Sequence, residues 1–303
     1  MLLENEQLQR MVDYSFGDQS GVLGGVPNAY MKKANKSNVE FLELTNKFRG
    51  KTMTLFIDNI RLYRRPLEYS DWLHMKPISA QDRQWLNQFE DEDLLALCEK
   101  IKFTRFVIFT AFEDTPLDDY IWNKIPKNVL AIHSANGVVF GGKVHPFPHG
   151  IERKMYQGYN HHEILESYID DTEATKQLFV CHRDDTGDRG KLKETLSWAT
   201  IAPKLDYEPY LQGIKEHKFV LCPSGNGIGS ARNWETLYMK RVPVFEDHPY
   251  KRELFKNFPV LYVKSYDELT PELLQQNEHL YQEALKMDMN KLDLNYWFNK
   301  ATK

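Results

Sequence analysis

Seven short apolar runs, rich in β-branched and aromatic residues and closed by polar or turn residues, constrain this chain more than any other feature. They are TMTLFID (52–58), RFVIFTAF (105–112), NVLAIHS (128–134), KQLFVCH (176–182), KFVLCP (218–223), VPVF (242–245) and PVLYV (259–263). Each has the length of a strand buried on both faces and is too short for a core helix. Between several of them lie helical patterns, as at 91–102 and 230–241. Strands that alternate with helices pair in parallel, so the expected class is α/β with parallel sheets. At 303 residues the chain is long enough for two domains. The segment GKVHPFPHGIERK (142–154), with two prolines and two glycines, reads as an extended crossover between them. The expected division is a first domain over 1–152, a second over 153–280 and a closing helix over 281–303. Tyr296, Trp297 and Phe298 should dock that last segment.

Charge and cysteine content narrow the function. The net charge is −4, so the whole chain is not a basic nucleic-acid binder. Charge is nevertheless uneven: residues 32–65 hold nine bases and three acids, and residues 66–120 hold five bases and twelve acids. The basic stretch from Lys32 to Arg65 is either a solvated face or a groove for an anionic acceptor. Cys98, Cys181 and Cys222 are odd in number and lie far apart, which fits neither a disulfide framework nor a zinc site, and they are read as reduced thiols. The N-terminus lacks the apolar core of a signal peptide, and no eighteen-residue apolar run occurs. The expected compartment is the cytoplasm. No repeat of fixed period and no low-complexity segment is present, which removes solenoids and propellers.

The most informative stretch is KFVLCPSGNGIGSARNWETLYMKRVPVF (218–245), where a strand enters Ser224-Gly225-Asn226-Gly227-Ile228-Gly229 and a helix begins near Ser230. Closely spaced glycines let a backbone turn sharply and approach a ligand. The following helix offers free N–H groups and the positive end of its dipole, a combination suited to phosphate. The spacing matches neither a Walker A loop nor Gly-x-Gly-x-x-Gly. Arg232 stands in the first helical turn, where a cation opposes the helix dipole unless an anion is near. Glu235 follows on the same face, placed to accept the hydroxyls of a ribose. Trp234, Leu237 and Tyr238 fall on the opposite side and read as core.

With these residues in view, the stretch 210–263 resembles the donor-nucleotide half of exostosin-like glycosyltransferases, a family with the two-Rossmann-domain GT-B fold. The likeness spans roughly 128–270. It is carried by Phe147-Pro148-His149-Gly150, by FVCHRDDTGDR ending at Arg189, by Tyr210-Leu211, by Phe219 to Gly225 and by Arg232-Asn233-Trp234-Glu235. The resemblance implies two Rossmann-like domains whose parallel sheets face a central cleft. It also implies that Gly225 and Gly227 lie under a donor diphosphate, that Arg232 and Arg189 bind it and that Glu235 holds the ribose. Ser224, Asn226 and Ser230 complete the expected donor set. The sequence departs from the family at Gly229-Ser230-Ala231 and at Lys240-Arg241. The missing membrane anchor points away from Golgi relatives and toward a bacterial or viral enzyme.

Inverting sugar transfer needs a base for the acceptor hydroxyl and positive groups for the departing diphosphate. The base candidates are Asp18, in the loop SFGDQSG, and Asp114, after the strand that ends near Phe112. His133, Asn136 and His149 are the acceptor or cleft candidates. Asp91-Glu92-Asp93 reads as a helix start rather than a metal motif, since acids favour that end of a helix. His161-His162 and Asp184-Asp185 lack the spacing of a helical metal site, so no metal and no cofactor beyond the nucleotide sugar is expected. The leading expectation is an inverting glycosyltransferase using a nucleotide sugar, UDP-linked by preference, on a glycan or glycoconjugate. The alternatives are a virus-type enzyme that glycosylates hydroxymethylated DNA bases through the Lys32–Arg65 stretch, and a non-catalytic nucleotide or sugar binder.

Overall fold

In a computed structural model of the chain, the residues described are 2, 5–15, 41–57, 62, 94–111, 117–151, 155–156, 159–183, 189–225 and 227–303. The chain forms two compact units, one of residues 5–147 with 301–303 and the other of residues 1–4 with 148–300. All seven apolar runs contain strands, and both five-stranded sheets are wholly parallel. The class is α/β.

In the N-terminal unit the strands are β1 (Tyr14–Ser15), β2 (Thr52–Ile57), β3 (Arg105–Thr110), β4 (Val129–Ser134) and β5 (Val144–Pro146), side by side in that order. Met53, Leu55 and Ile57 alternate along β2 and, with Phe106, Ile108, Val129 and Ile132, pack against the helix Leu94–Lys100 through Leu94, Leu95 and Cys98. Phe56, Val107 and Phe109 point to the other face and are buried too, as a parallel sheet covered on both sides requires. The crossover read at 142–154 holds a strand of its own. β5 pairs with β4 at the sheet edge and ends at Pro146, a residue that an edge tolerates because it owes no hydrogen bond on the open side.

The C-terminal unit opens with a two-stranded ribbon, β6 (Met155–Tyr156) and β7 (Tyr159–Asn160), followed by helix His161–Tyr168. Its sheet consists of β8 (Lys176–Cys181), β9 (Thr200–Ala202), β10 (His217–Leu221), β11 (Val242–Glu246) and β12 (Leu261–Val263), in the spatial order β12-β11-β10-β8-β9. Counted from its own first strand this is 2-1-3-4-5, a doubly wound order that reverses direction between β8 and β10. One face of the sheet, through Leu178, Val180, Phe219, Leu221, Val242 and Val244, meets Tyr266, Leu274, Tyr281 and Ala284. The other carries Phe179 against helix Tyr207–Glu216. A Cβ added to Gly213 of that helix would stand 2.2 Å from Phe179 Cζ, so only glycine permits this approach.

The end of the chain is more segmented than a single closing helix. Pro271–Gln276, Glu278–Leu285 and Leu294–Thr302 are separate helices, the first capped by Thr270 Oγ1, which accepts from Leu273 N at 3.1 Å. Trp297 docks the last one on Phe258 and Trp234, while Tyr296 remains 38% exposed. Arg241 is fully buried and donates to the carbonyls of Lys215, Lys240 and Thr172, and Lys240 pairs with Asp171. The Lys240-Arg241 departure therefore fastens the loop before β8 to the end of helix Tyr207–Glu216. Among the described residues no helix is long and apolar enough to cross a membrane.

Candidate functional site

In an open doubly wound sheet, ligands settle outside the carboxyl ends of the strands where strand order reverses. In the C-terminal unit that place lies past the ends of β8 and β10, and a cavity of about 370 Å³ opens there. Its lining comes from Cys181 at the end of β8, from His182 and Arg183 after it, from His161 and Arg189, from Lys204 to Asp206 after β9, and from two further helices. These helices are Tyr207–Glu216, hereafter α1, which supplies Tyr207 and Tyr210, and Ala231–Tyr238, hereafter α2, which supplies Arg232 and Glu235. Among the described strands of the N-terminal sheet the order does not reverse.

The glycine loop joins β10 to α2. Gly225 N donates to Gly227 O at 3.0 Å, which closes the turn. Arg189, at the start of a short helix after β8, donates from Nε to Ser224 O at 2.9 Å and from Nη2 to Pro223 O at 3.2 Å. A Cβ on Gly225 would come within 2.9 Å of that same Nη2, which is the local reason for a glycine. Arg189 lines the cavity but also braces the loop, a task the sequence did not disclose. Ser230 takes the N-cap position of α2 without capping it, and its hydroxyl donates to Asn233 Oδ1 at 2.9 Å. The positive end of α2 is thus turned to the cavity with its cap unmade.

Arg232 and Glu235 sit in the first turns of α2. Arg232 Nε is enclosed and has no hydrogen-bond partner among the described residues, and its guanidinium stands 6.0 Å over the Tyr210 ring. A buried guanidinium N–H without an acceptor is costly unless a ligand supplies one. Glu235 is buried at 3% exposure, and its two oxygens accept from Tyr207 and Tyr210 hydroxyls, each at 3.0 Å. Burial first, and then the facing carboxylate, raise the Tyr210 pKa well above its ordinary value, so it remains a donor. A carboxylate has room for about four acceptor contacts, and the two tyrosine hydroxyls fill two of them on Glu235. Tyr207 also packs its ring 4.1 Å from His161. Burial above all, reinforced by the charges of Arg232, Lys193 and Arg189, brings His182 down to about 4 despite its contact with Arg183 O. It is neutral at pH 7.

The described lining carries Arg183, Arg189, Lys204 and Arg232 against Asp206 and Glu235, an excess of two positive charges in a partly enclosed space. That is the charge balance of a site for a doubly charged anion.

Of the expected donor set, Arg189, Ser230, Arg232 and Glu235 line this cavity, while Ser224 and Gly225 sit against Arg189 and Gly227 closes the turn with Gly225. His149 belongs to the same unit and is half-buried. His133 and Asn136 belong to the N-terminal unit. There His133 is stacked between Phe109 and His145, and its Nε2 lies 3.2 Å from Ala301 O. Burial first, then His145, lower it to about 4, so it donates to that carbonyl as a neutral ring. Asp18, Asp114 and Asn226 lie outside the described residues, as do Asp91 to Asp93, Asp184-Asp185 and six of the nine bases of the Lys32–Arg65 stretch. Of that stretch's bases Lys47, Arg49 and Lys51 are described, and Arg49 stacks on Phe103 at 4.2 Å. Among the described residues no cluster of three metal-binding side chains occurs.

Tyr207, His161 and Lys204 enter the cavity without a motif to announce them, and Tyr210, part of the Tyr210-Leu211 likeness, enters it without a role foreseen. The available signal was the i,i+3 tyrosine pair on an amphipathic helix, since a buried tyrosine hydroxyl needs a partner.

No protein-family model matches the sequence, and no curated protein does. Several solved structures show distant likeness, three of which follow. An α1,3-fucosyltransferase has a TM-score of 0.35 and 10% identity over 65% of this chain and 67% of its own. MurG of Acinetobacter baumannii has a TM-score of 0.37 and 10% identity over 89% of this chain and 77% of its own. The pneumococcal O-GlcNAc transferase GtfA, solved with UDP and GlcNAc, has a TM-score of 0.35 and 11% identity over 87% of this chain and 58% of its own. At these scores the likenesses decide nothing about activity, which has to be argued from the side chains.

Proposed function

We propose that the chain is a glycosyltransferase of the exostosin-like, GT-B type, which takes a sugar from a nucleoside diphosphate, UDP first among them, and passes it with inversion to a hydroxyl of a glycan or glycoconjugate. The observation that carries this reading is the pairing, on one face of α2, of the enclosed Arg232 Nε, without a partner among the described residues, with the tyrosine-held carboxylate of Glu235. The first suits a phosphate oxygen and the second a ribose diol. Their spacing of three residues suits the succession of the two groups in a nucleotide.

In this reading the bond that breaks joins the sugar to the diphosphate, and charge grows on the departing phosphate oxygens. Arg232 and the positive end of α2 are fixed in place before that charge develops, and preorganised positive groups of this kind lower such a barrier. Side chains and helix then supply the stabilisation, and no metal is called for. The base that takes the acceptor proton is assigned to Asp18 or Asp114.

The test is a thermal-shift comparison of UDP, GDP, ADP, CMP and dTDP on wild type and Arg232→Ala. At a hundredfold excess over Kd, binding to the native state stabilises by about 2.7 kcal/mol, a rise of several degrees. One nucleoside diphosphate should raise Tm in wild type and not in the variant. No rise with any of them overturns the nucleotide reading. A rise without sugar transfer or hydrolysis of the corresponding nucleotide sugars would leave a binding protein.

A further inference from the structure

Beneath the glycine loop lies a lysine that the reading above leaves unused. Lys251, in the helix Pro249–Leu254, is buried at 1% exposure. Its Nζ donates to Ser224 Oγ at 2.9 Å and stands 4.9 Å over the Phe245 ring. No carboxylate comes within ion-pairing distance of it among the described residues. A buried ammonium with one hydroxyl and one ring face for company is poorly compensated. Ser224 itself is exposed, and its carbonyl is held by Arg189, a lining residue of the anion site. A serine oxygen that accepts from an ammonium on its buried side keeps its own O–H to donate on the exposed side. Chained hydrogen bonds of this kind strengthen one another.

We propose that Lys251 is a positioning residue of the diphosphate site, acting through Ser224. Its ammonium holds the serine oxygen from below so that the serine proton is donated to a phosphate oxygen, and anion binding is thereby coupled to protonation of Lys251. The proposal rests on the diphosphate reading of the loop. The groups that face the amine are Cys222 at the end of β10, Glu246 on β11, Arg189 across the loop and His248 at its own helix start. Burial dominates among these effects and lowers the amine to about 8. Near pH 8 the free protein therefore holds Lys251 about half protonated, and a bound anion completes the protonation with a proton drawn from solvent. The nearby histidines, His182 and His248, are pushed down by burial and stay neutral at that pH.

The experiment is calorimetric titration at pH 8 with UDP and, separately, inorganic pyrophosphate, in two buffers of different ionisation enthalpy. The dependence of heat on buffer reads the protons taken up. Wild type should take up about half a proton per anion bound. Lys251→Met should take up almost none and bind the anion roughly tenfold more weakly. Ser224→Ala, which changes an exposed side chain and keeps the fold, should lose most of the uptake as well. If UDP binds wild type with no uptake, or with uptake unchanged in both variants, the proposal falls and the nucleotide reading stands. If pyrophosphate binds with Lys251-dependent uptake but no nucleotide does, the proposal stands and the nucleotide reading falls. If neither anion binds, both fall.

Discussion

At the residue scale, the site is built from groups that are each costly to bury. Glu235 is answered in the interior by two tyrosine hydroxyls, which donate to it. Glu235→Gln puts an amide N–H₂ where one hydroxyl now donates, and removes the charge that two hydrogen bonds answer. Hydrogen bonds to a charged group are worth about 1.5–3 kcal/mol each. Nucleoside diphosphate affinity should fall by between tenfold and a hundredfold, read by titration, with a smaller loss of Tm; unchanged affinity would remove Glu235 from the ligand. Lys251 presents the opposite case. Its amine is about 8 in the folded protein and near 10.4 in an unfolded chain, so between those values the unfolded state binds more protons. Stability attached to Lys251 therefore rises as pH climbs from about 8 to about 10.5. Lys251→Met should be more stable than wild type at pH 7, and the gap should close by pH 10.5, as followed by urea unfolding. A variant less stable at every pH would mean that the amine is a structural support. Arg232 and Glu235 were legible in the sequence because a glycine loop, a helix start and a charge of the wrong sign for that start coincide. Lys251, Tyr207 and Tyr210 were not, since their partners are 27, 28 and 25 residues away and only the fold chooses them.

At the element scale, α1 is placed by a missing side chain. Gly213 lets the helix lie directly on the Phe179 ring, and α1 in turn presents Tyr207 and Tyr210 to Glu235. Gly213→Ala must displace either the ring or the helix, because a Cβ at 2.2 Å from Phe179 cannot be accommodated in place. Overpacking of this kind costs about 1–3 kcal/mol. The variant should lose several degrees of Tm and also bind nucleotide more weakly, since the tyrosines ride on the displaced helix. Loss of stability with unaltered affinity would show that α1 does not position the carboxylate. Seven strands, six of them central, could be read from the sequence because buried parallel strands are continuous apolar runs. The short edge strands β1, β5 and β9 could not. They have two or three residues each, and their burial is only partial, so no run distinguishes them from loop. Missing β9 meant missing the strand order, and with it the reversal between β8 and β10 that locates the crevice.

At the scale of the whole molecule, both units bury a neutral histidine at the carboxyl end of a parallel strand. His133 closes β4 in one unit, and His182 follows β8 in the other. Burial is the first cause of the shift in each, and each stands at about 4 in the folded protein against about 6.5 in an unfolded chain. Between pH 6.5 and pH 4 the unfolded chain binds more protons at both positions, so the stability they carry is full above pH 6.5 and lost as pH falls toward 4. A shift of this size amounts to roughly 3 kcal/mol per histidine, which is a large share of the stability of an ordinary domain. Urea unfolding at pH 7 and pH 5 should show a steep loss, and His133→Asn and His182→Asn should each flatten it in the unit that holds the substitution. The two differ in one respect. His182 shares its crevice with Arg232 and Arg189, whose charges also disfavour its protonation, whereas His133 answers to His145 and to the Ala301 carbonyl. A bound diphosphate should therefore raise the pKa of His182 and leave that of His133 in place, as followed by NMR titration of the ring protons. Equal movement of both would mean that the anion acts on the protein at large, and movement of neither would place it outside the crevice between β8 and β10.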